Sequence, residues 1–438
     1  MKKYGKLITL FSSVLLLGAC ASDTGVNTAA VVPPAKTFSP GKVLLDNNGR
    51  HVNAHGAGVI YDNGRYYMFG EHKVCGNLGN KAVVGVHCYS SADLYNWKDE
   101  GISLKMDKKA GSDIIIGTVL ERPKVVFNKK TGKYVMWMHL EFRKGKTAAS
   151  TDFDVIAKES NDYKTARCGV AVADKITGPY EYIGSFRPNP KKYPVGEEAV
   201  LKQSRAKMEK ELPNWRTANF RPDAKTSKYY GHKFLIDFDG GQMARDMTVF
   251  VDDDDKAYLV CASEENATIH INELTDDYLG FTGKFKRVHP DMYNEAPSIF
   301  KKDGKYFMFS SHCTGWAPNP FRVSVADSMM GEWKYLGDRT RGLNASESNY
   351  RIRTKLNEQA KIDNVPQQTA DTFKTQSTAV IKVEGRKDAF IYLGDRWTPR
   401  DALDGRYVFL PVEWEDGLPV IRWYNEWDLS FFDKPAKK

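Results

Sequence analysis

The chain has 438 residues, 12% of them aromatic, and a formal net charge of +9. Its lysines and arginines are scattered and form no basic stripe interleaved with aromatic residues, so the sequence lacks a nucleic-acid-binding pattern. Long apolar helical stripes are few, while glycine and aromatic residues are frequent, which favours strands joined by turns. The aromatic residues suit either a β-sheet core or stacking on sugar rings, and composition alone leaves both alternatives open.

Residues 1–19 predict a lipoprotein signal peptide. A basic start precedes an apolar run, 7–17, that is too short to span a membrane. The string Leu17-Gly18-Ala19-Cys20 has the form of a bacterial lipobox, so we expect cleavage before Cys20 and lipidation of that cysteine; a secreted protein without lipid is the alternative. Residues 20–40 then form a lipidated tether. The predicted location is the bacterial cell envelope, and Ala21 after the cysteine favours the outer membrane.

The remaining cysteines do not form a recognisable framework. Their number is odd and none are spaced as CxxC, which argues against a set of disulfides and against a structural zinc site. We therefore expect buried thiols and predict neither a metal nor a cofactor. The cysteines concerned are Cys75, Cys88, Cys168, Cys261 and Cys313.

Residues 41–438 contain five repeats. Each repeat is a short apolar strand, a turn rich in Asp, Asn or Gly, and a second strand with alternating aromatic residues, which is the pattern of a β-hairpin. The first strands begin near Ala57, Glu121, Asp246, Asn294 and Gln376.

Four of these repeats are followed by a second, shorter pattern. In each, a third strand ends in a turn whose aromatic residue begins an outer fourth strand, at Trp97, Tyr180, Tyr278 and Trp333. A hairpin followed by two further strands is one propeller blade, so the sequence predicts an all-β fold, a five-bladed β-propeller.

Two charged segments interrupt the repeats, near 188–240 and 338–373. A short helix is predicted over 202–211. Such inserts are either solvated decoration or loops that shape specificity.

The residues just before the inner strands are expected to point into one shared pocket. Three of the five positions carry carboxylates, although strands usually exclude them. Converging carboxylates repel each other, so at least one should have a raised pKa, as a general acid requires. Any one of them alone could be a solvated turn residue, but the shared register argues against coincidence. In order, the pairs are His55-Gly56, Glu121-Arg122, Arg245-Asp246, Asn294-Glu295 and Thr375-Gln376.

Paired carboxylates around a sugar-binding pocket are the machinery of glycoside hydrolysis. Trp316, Trp397, Tyr89 and Trp137 are candidates to stack on sugar faces, with core packing as the alternative for each.

Several strings resemble one known family. Arg245-Asp246 ahead of an apolar strand and Glu295-Ala296-Pro297 are similar to glycoside hydrolase family 43. More specific strings resemble its subfamily 24, the exo-β-1,3-galactanases, over about residues 51–432. They are Ala54-His55-Gly56-Ala57-Gly58-Val59, Glu121-Arg122-Pro123-Lys124-Val125, Ser263-Glu264-Glu265-Asn266-Ala267-Thr268-Ile269-His270, Ser311-His312-Cys313-Thr314-Gly315-Trp316 and Gly394-Asp395-Arg396-Trp397.

The resemblance implies an inverting mechanism with Glu295 as general acid and Asp246 as the aspartate that modulates its pKa. The family's usual base, an aspartate in the first blade, is missing here, and the resemblance puts Gln376 and Glu121 in the catalytic set instead. A neutral amide is a poor base. Either Gln376 positions the water while Glu121 or another group takes its proton, or Gln376 reacts through an imidic-acid form.

The same resemblance implies that Glu71, Asn266, Thr314 and Trp316 contact the terminal galactose, although Glu71 could equally be a structural acid. The expected protein is an exo-enzyme that releases galactose from β-1,3-galactan, the backbone of type II arabinogalactan. Its partners would be this polysaccharide and, through the lipid, a membrane. The alternatives are another family 43 activity, such as α-L-arabinofuranosidase or β-xylosidase, and a non-catalytic glycan-binding lipoprotein.

Overall fold

The computed structural model describes residues 33–74, 76–144, 150–212, 214–215, 228–341, 372–398 and 401–433. The predicted signal peptide, Cys20 and Cys75 lie outside this part of the chain, as does most of the second predicted insert. The described residues form five β-sheets around a common centre, which confirms the predicted five-bladed propeller. Among them, no helix combines the length and apolar character needed to cross a bilayer.

The first two blades are four-stranded antiparallel sheets whose strands follow chain order from the inside outwards. Blade 1 contains β1 (His55–Asp62), β2 (Arg65–Lys73), β3 (Val83–Ser91) and β4 (Lys98–Lys105). Blade 2 contains β5 (Val119–Asn128), β6 (Lys133–Arg143), β7 (Asn161–Ala173) and β8 (Glu181–Phe186), with helix α1 (Phe153–Lys158) between β6 and β7.

The third and fourth blades repeat this order. Blade 3 contains β9 (Met247–Val251), β10 (Ala257–Ser263), β11 (Thr268–Leu274) and β12 (Phe281–Val288). Blade 4 contains β13 (Asn294–Lys302), β14 (Lys305–His312), β15 (Arg322–Ala326) and β16 (Lys334–Gly337).

Blade 5 is built from the C-terminal part of the chain and gains a fifth strand. The two-residue strand β17 pairs in parallel with the outermost strand. The blade contains β17 (Thr340–Arg341), β18 (Gln376–Lys382), β19 (Phe390–Arg396), β20 (Arg406–Glu415) and β21 (Leu418–Arg422). Short 3-10 helices lie at Gly76–Ala82, Thr372–Lys374 and Leu429–Asp433.

The ring closes through packing of side chains and an N-terminal clasp. Each inner strand contacts the next, and β18 contacts β1. Ahead of blade 1, Phe38 and Trp427 exchange two backbone hydrogen bonds of 2.7 and 3.1 Å, and their rings stack at 4.4 Å. Chain segments from both ends of the domain are thereby held together, which positions the first and fifth blades as neighbours.

The four aromatic residues predicted to begin the outer strands are all buried. Trp97, Tyr180 and Trp333 stand directly before those strands, and Tyr278 stands three residues before β12. The indoles of Trp97 and Trp333 donate to the carbonyl oxygens of Leu94 and Met329, so burial leaves no indole N–H unsatisfied. The first four blades therefore each have a buried aromatic residue ahead of the outer strand, and this part of the prediction is confirmed.

Where the inner strands begin, bulges turn side chains into the channel. The pairing register shifts between His55 and Gly58, Glu121 and Lys124, and Glu295 and Ser298. In each, the residue after the first named one has a left-handed backbone, with φ of 61° at Gly56, 55° at Arg122 and 53° at Ala296. Such a bulge bends the strand and redirects the preceding side chain. Strained backbone of this kind gathers at functional sites.

The first insert has its own small core. Helix α2 (Glu198–Glu211) contains the predicted 202–211 segment and begins four residues earlier. Its Leu201 and Met208 pack with Phe234 of α3 (His232–Ile236) and with Phe285 of β12. The interpretation as solvated decoration is therefore wrong for this insert, which is attached to blade 3 by an apolar interface.

Candidate active site

A cavity of about 230 Å³ lies at the mouth of the channel, where the inner strands begin. Residues from all five blades line it, and they include every predicted site residue of the propeller except Thr314. The lining residues are Glu71, Asn80, Glu121, Arg122, His139, Glu141, Tyr163, Arg245, Asp246, Asn266, Glu295, Gly315, Trp316, Gln376 and Trp397.

Glu295, at the start of β13, is set up as a neutral acid. Burial, followed by the negative charge of Asp246, raises the pKa of Glu295 to about 8. Asn266 donates from Nδ2 to Glu295 Oε1 at 2.7 Å, and Gln376 Nε2 lies 3.5 Å from Oε2. At neutral pH the carboxyl group therefore retains a proton, as a general acid must.

Asn266 reaches Glu295 because the turn after β10 is left-handed. Glu264, Glu265 and Asn266 have φ of 54°, 59° and 62° in succession. A run of three non-glycine residues in this region is uncommon, and asparagine is the residue type that tolerates it best. The sequence assigned Asn266 to the sugar, whereas the structure shows it holding the acid; its contact with galactose stays a prediction.

Arg122 links the second, third and fifth blades. It is 3% exposed and lies 3.3 Å from Asp246 Oδ2 through Nη2. The same nitrogen donates to Oε1 of Gln376, and Nη1 donates to the carbonyl oxygen of Ser377 at 2.8 Å. Gln376 in turn donates from Nε2 to Ser311 Oγ at 2.9 Å. Both ends of the Gln376 amide are thus fixed before a substrate arrives.

Glu121 is kept ionised, in contrast to the protonated Glu295. Its Oε2 lies 3.0 Å from His139 Nδ1, and His139 Nε2 lies 3.0 Å from Glu141 Oε1. Burial would raise the pKa of Glu121, but the hydrogen bond and positive charge of His139 bring it below its usual range. The cleft therefore pairs a carboxyl group that stays protonated with one that stays ionised.

The first blade supplies its carboxylate from the second strand instead of the first. A Cβ on Gly56 would lie 2.5 Å from Glu71 Oε1, so the glycine leaves room for this side chain. Glu71 is 1% exposed, accepts from the Arg122 backbone N–H at 3.1 Å and lies 3.2 Å from Lys73 Nζ. The neighbouring His55 stacks on Trp397 with centroids 5.1 Å apart. The missing first-blade aspartate thus has a steric explanation.

Two of the four candidate stacking residues reach the cleft. Trp316 is 45% exposed and meets Trp397 edge to face at 5.4 Å. Tyr89 and Trp137 are fully buried, and the Trp137 indole donates to Tyr278 O. Sugar stacking is therefore wrong for Tyr89 and Trp137, which are core residues.

Thr314 does not line the cavity. Its hydroxyl donates to Ala317 O and accepts from Asn319 Nδ2, within the turn that presents Trp316. This turn also borders a second cavity of about 350 Å³, which shares Trp316, Trp397 and Gln376 with the first. The contact of Thr314 with galactose stays a prediction.

A cation site is geometrically conceivable at Glu121, His139 and Asp246, whose ligand atoms lie within 4.8 Å of one another. Both ring nitrogens of His139 already face carboxylates, however, so neither offers a free lone pair to a metal. The donor set therefore fits a hydrogen-bonded network better than a metal centre. In the part of the chain described, Cys88, Cys168 and Cys261 are buried free thiols, as expected, whereas the free thiol Cys313 is only partly buried.

Sequence reasoning gave no role to Arg122, His139, Glu141 or Tyr163. A signal was available on β6, because His139 and Glu141 interrupt an otherwise apolar run at alternate positions. Alternation places both side chains on one face of the strand. Two polar residues on a buried face require hydrogen-bond partners, and the partner of His139 is the site residue Glu121.

Comparison with known proteins places this geometry in a family. The model of the glycosyl hydrolases family 43 matches residues 220–419. A solved family 43 β-1,3-galactosidase, in a structure with galactodeoxynojirimycin, is 40% identical, with a TM-score of 0.72 and coverage of 90% of this chain and 100% of that one. An exo-β-1,3-galactanase from Phanerochaete chrysosporium is 28% identical, with a TM-score of 0.62 and coverage of 90% and 68%.

Two further comparisons are weaker. An exo-β-1,3-galactanase from Clostridium thermocellum is 26% identical, with a TM-score of 0.63 and coverage of 89% of this chain and 66% of that one. A curated β-D-galactofuranosidase from Aspergillus niger is 34% identical over 94 residues, so the match spans about a quarter (26%) of that relative and 21% of this chain. The family match, the identity to the β-1,3-galactosidase and the five-bladed cleft with its opposed carboxyl groups agree, and the chain belongs to glycoside hydrolase family 43.

Proposed function

We propose that this protein is an inverting, exo-acting glycoside hydrolase that releases galactose from β-1,3-galactan. One observation carries the reaction type: a protonated Glu295 and an ionised Glu121 line the same cleft. A carboxylic acid and a carboxylate on either side of a glycosidic bond are the requirement for its hydrolysis. The substrate is supported by the 40% identical relative, which is a β-1,3-galactosidase.

Glu295 protonates the leaving oxygen. Asn266 donates to Oε1 at 2.7 Å, whereas the Gln376 amide lies at the longer distance of 3.5 Å from Oε2, so we place the proton of the neutral acid on Oε2. Transfer from Oε2 to the glycosidic oxygen breaks the bond to the anomeric carbon and leaves Glu295 as a carboxylate. The nearby Asp246 charge raises the pKa of Glu295 further after the contribution of burial, which favours the protonated form that starts the cycle.

Glu121 accepts the proton of the attacking water, and Gln376 orients that water. An imidic-acid form of Gln376 requires a proton on Oε1, the atom that already accepts from the Arg122 guanidinium. Placing that proton beside a cation is unfavourable, whereas Glu121 is an ionised carboxylate next to His139. Water adds to the anomeric carbon from the face opposite the leaving group, so the first product is α-galactose.

The exo mode follows from the closed floor of the cavity. Glu71 and Arg122 are almost fully buried there, at 1% and 3% exposure, and they are held by Lys73 and Asp246. A polysaccharide chain cannot thread past these residues, but a chain end can enter. Trp316 and Trp397 provide aromatic surface at the entrance, where a sugar face can stack.

The test is product analysis on linear β-1,3-galactan with wild type and Glu295→Gln. We expect galactose as the sole early product, appearing first as the α anomer by NMR, and strongly reduced release by the variant. Arabinofuranosides, xylosides and galactofuranosides serve as competing substrates. Preference for any of these overturns the galactan assignment, and a β first product overturns inversion. Tight galactan binding without release by wild type would leave a glycan-binding protein instead.

We also propose that the physiological substrate is the type II arabinogalactan backbone and that Cys20 carries a lipid at the cell envelope. The support for lipidation is the Leu17-Gly18-Ala19-Cys20 string in the sequence. Radiolabelled palmitate should label wild type but not Cys20→Ser, and the label should fractionate with outer membranes. Equal labelling of both proteins, or a soluble wild type, would contradict this proposal.

A further inference from the structure

Behind Glu121 lies a row of three side chains that crosses two strands. Glu121 on β5 pairs directly with His139 on β6, and Glu141 follows two residues later on the same face. His139 is 3% exposed and Glu141 is 0% exposed. Glu141 is thus a fully buried carboxyl group at the edge of the cavity lining, behind His139 and Glu121.

The far end of the row is fixed by backbone and side-chain donors. Glu141 Oε2 accepts from the Ala166 N–H at 2.9 Å and from Thr165 Oγ1 at 3.1 Å. Glu141 Oε1 faces His139 at 3.0 Å and Arg245 Nε at 3.6 Å. The Ala166 N–H and the Arg245 guanidinium can only donate, so they require Glu141 to accept, which is the behaviour of a carboxylate. The Thr165 hydroxyl does not decide the matter, because it also reaches the Asp162 carbonyl oxygen at 2.8 Å.

The ring of His139 lies between two such acceptors. A neutral imidazole has one donor and one lone pair, so one of its nitrogens would point a lone pair at a carboxylate oxygen. Protonating both nitrogens removes that repulsion and yields two charge-assisted hydrogen bonds. Although burial lowers the pKa of His139, its hydrogen bonds to Glu121 and Glu141 raise it to about 10.

We propose that Glu141 and His139 are positioning residues that keep Glu121 ionised and aimed into the cleft without touching the substrate. Two carboxyl groups in one cavity then take opposite roles because their surroundings differ: Glu295 has an amide donor and a neighbouring anion, while Glu121 has an imidazolium. The row of Glu121, His139 and Glu141 thus controls the side of the cleft at which water is activated. Glu141 determines the charge on His139.

Other charges face Glu121 and must be held constant in any test. Lys73 and Arg122 favour its ionised form, whereas the neighbouring acids Glu71 and Glu295 oppose it. The groups that face this carboxyl group from neighbouring elements are Glu71 and Lys73 on β2, Arg122 on β5, Tyr163 on β7, Arg245 and Asp246 ahead of β9, and Glu295 on β13.

Glu141→Gln is the decisive variant because it removes a charge and keeps the shape. Its amide can donate to His139 Nε2 while its oxygen still accepts from the Ala166 N–H, so the ring becomes neutral and retains Nδ1–H for Glu121. Loss of the imidazolium raises the pKa of Glu121. The acid limb of the kcat/KM profile should therefore move up by about one pH unit or more, while the alkaline limb set by Glu295 stays in place.

Nitrogen NMR of labelled histidine tests the charge without any assumption about the substrate. We expect both ring nitrogens of His139 to carry protons at neutral pH in wild type and only Nδ1 to do so in Glu141→Gln. Asp99→Asn is the matched control, since Asp99 pairs with His87 at 2.6 Å outside the cleft. It should change neither limb of the profile.

A neutral His139 in folded wild type would overturn the proposal. So would a folded Glu141→Gln enzyme whose acid limb does not move. The kinetic measurement rests on the proposed hydrolysis, but the NMR measurement does not, so failure of the galactan assignment and failure of this inference are distinguishable. If Glu141→Gln does not fold, His139→Gln provides a second variant with the same expected shift of the acid limb.

Discussion

Asn266 donates a 2.7 Å hydrogen bond from Nδ2 to Oε1 of Glu295, the residue that we propose as the general acid. The amide comes from the turn after β10 in blade 3, and the acid comes from the first strand of blade 4. In the proposed mechanism, the proton departs from the other oxygen, Oε2, which has only the longer 3.5 Å contact with the Gln376 amide. The orientation of the acid is therefore decided by a residue on a different blade.

Replacing Asn266 should affect turnover more than binding. In Asn266→Ala the acid loses its fixed orientation, so kcat should fall by about 10- to 100-fold while KM changes little. Steady-state kinetics on β-1,3-galactooligosaccharides separates the two parameters. If KM rises instead and kcat is kept, Asn266 contacts the sugar, as the sequence suggested, and its bond to Glu295 is incidental.

Removing the acid should lower activity most on substrates with poor leaving groups. Glu295→Gln cannot donate a proton, so kcat on galactan should fall by about 10²- to 10⁴-fold. Aryl β-galactosides with acidic phenols need little protonation and should retain much more activity. Equal losses on both substrates would show that Glu295 acts in some step other than leaving-group departure.

The raised pKa of Glu295 predicts loss of activity on the alkaline side. Only the protonated form is competent, so kcat/KM should decline above about pH 8. Asp246→Asn removes the neighbouring anion, and it should shift this decline to lower pH. A pH profile of both enzymes checks the sign; an alkaline limb that moves upward would contradict the assigned role of Asp246.

The same shift predicts that Glu295 destabilises the fold at alkaline pH. Between its ordinary value of 4.5 and about 8, the folded state binds more protons at this group than the unfolded state, so stability falls as pH rises through that window. Glu295→Gln removes the penalty and should be more stable at alkaline pH, by at most about 5 kcal/mol. Thermal unfolding should show a higher Tm for Glu295→Gln than for wild type at alkaline pH and equal Tm values at acidic pH.

Two tryptophans should separate binding from stability. Trp316 is 45% exposed at the cleft, so Trp316→Ala should raise KM about tenfold with little change in Tm. Trp137 is fully buried and should lose about 3–5 kcal/mol of stability when changed to alanine. Unchanged KM in Trp316→Ala would remove this residue from the substrate contacts.

Much of the architecture was accessible from local patterns. The strand, turn and aromatic repeats predicted five blades, and the shared register of Glu121, Asp246, Glu295 and Gln376 predicted that they meet. All four line one cavity. These features depend on alternation and turn chemistry, which a short stretch of sequence contains.

Other site features were beyond such patterns. Tyr89 and Trp137 are aromatic residues on strands, as a sugar-stacking residue could be, yet both are core residues. The left-handed turn that brings Asn266 to Glu295 contains no glycine from which it could have been predicted. The room that Gly56 leaves for Glu71 depends on how β1 pairs with β2 and on the bulge in that pairing.

The sequence by itself determined the blade count, the candidate for the acid and the absence of the usual first-blade aspartate. Tertiary structure decided which groups carry charge. Arg122 and Gln376 are 254 residues apart in the chain but share a hydrogen bond, and Asp246 and Glu295 influence each other from neighbouring blades. Backbone patterns repeat locally, whereas the protonation state of a buried carboxyl group depends on desolvation and on every charge within a few ångströms, whichever part of the chain supplies it.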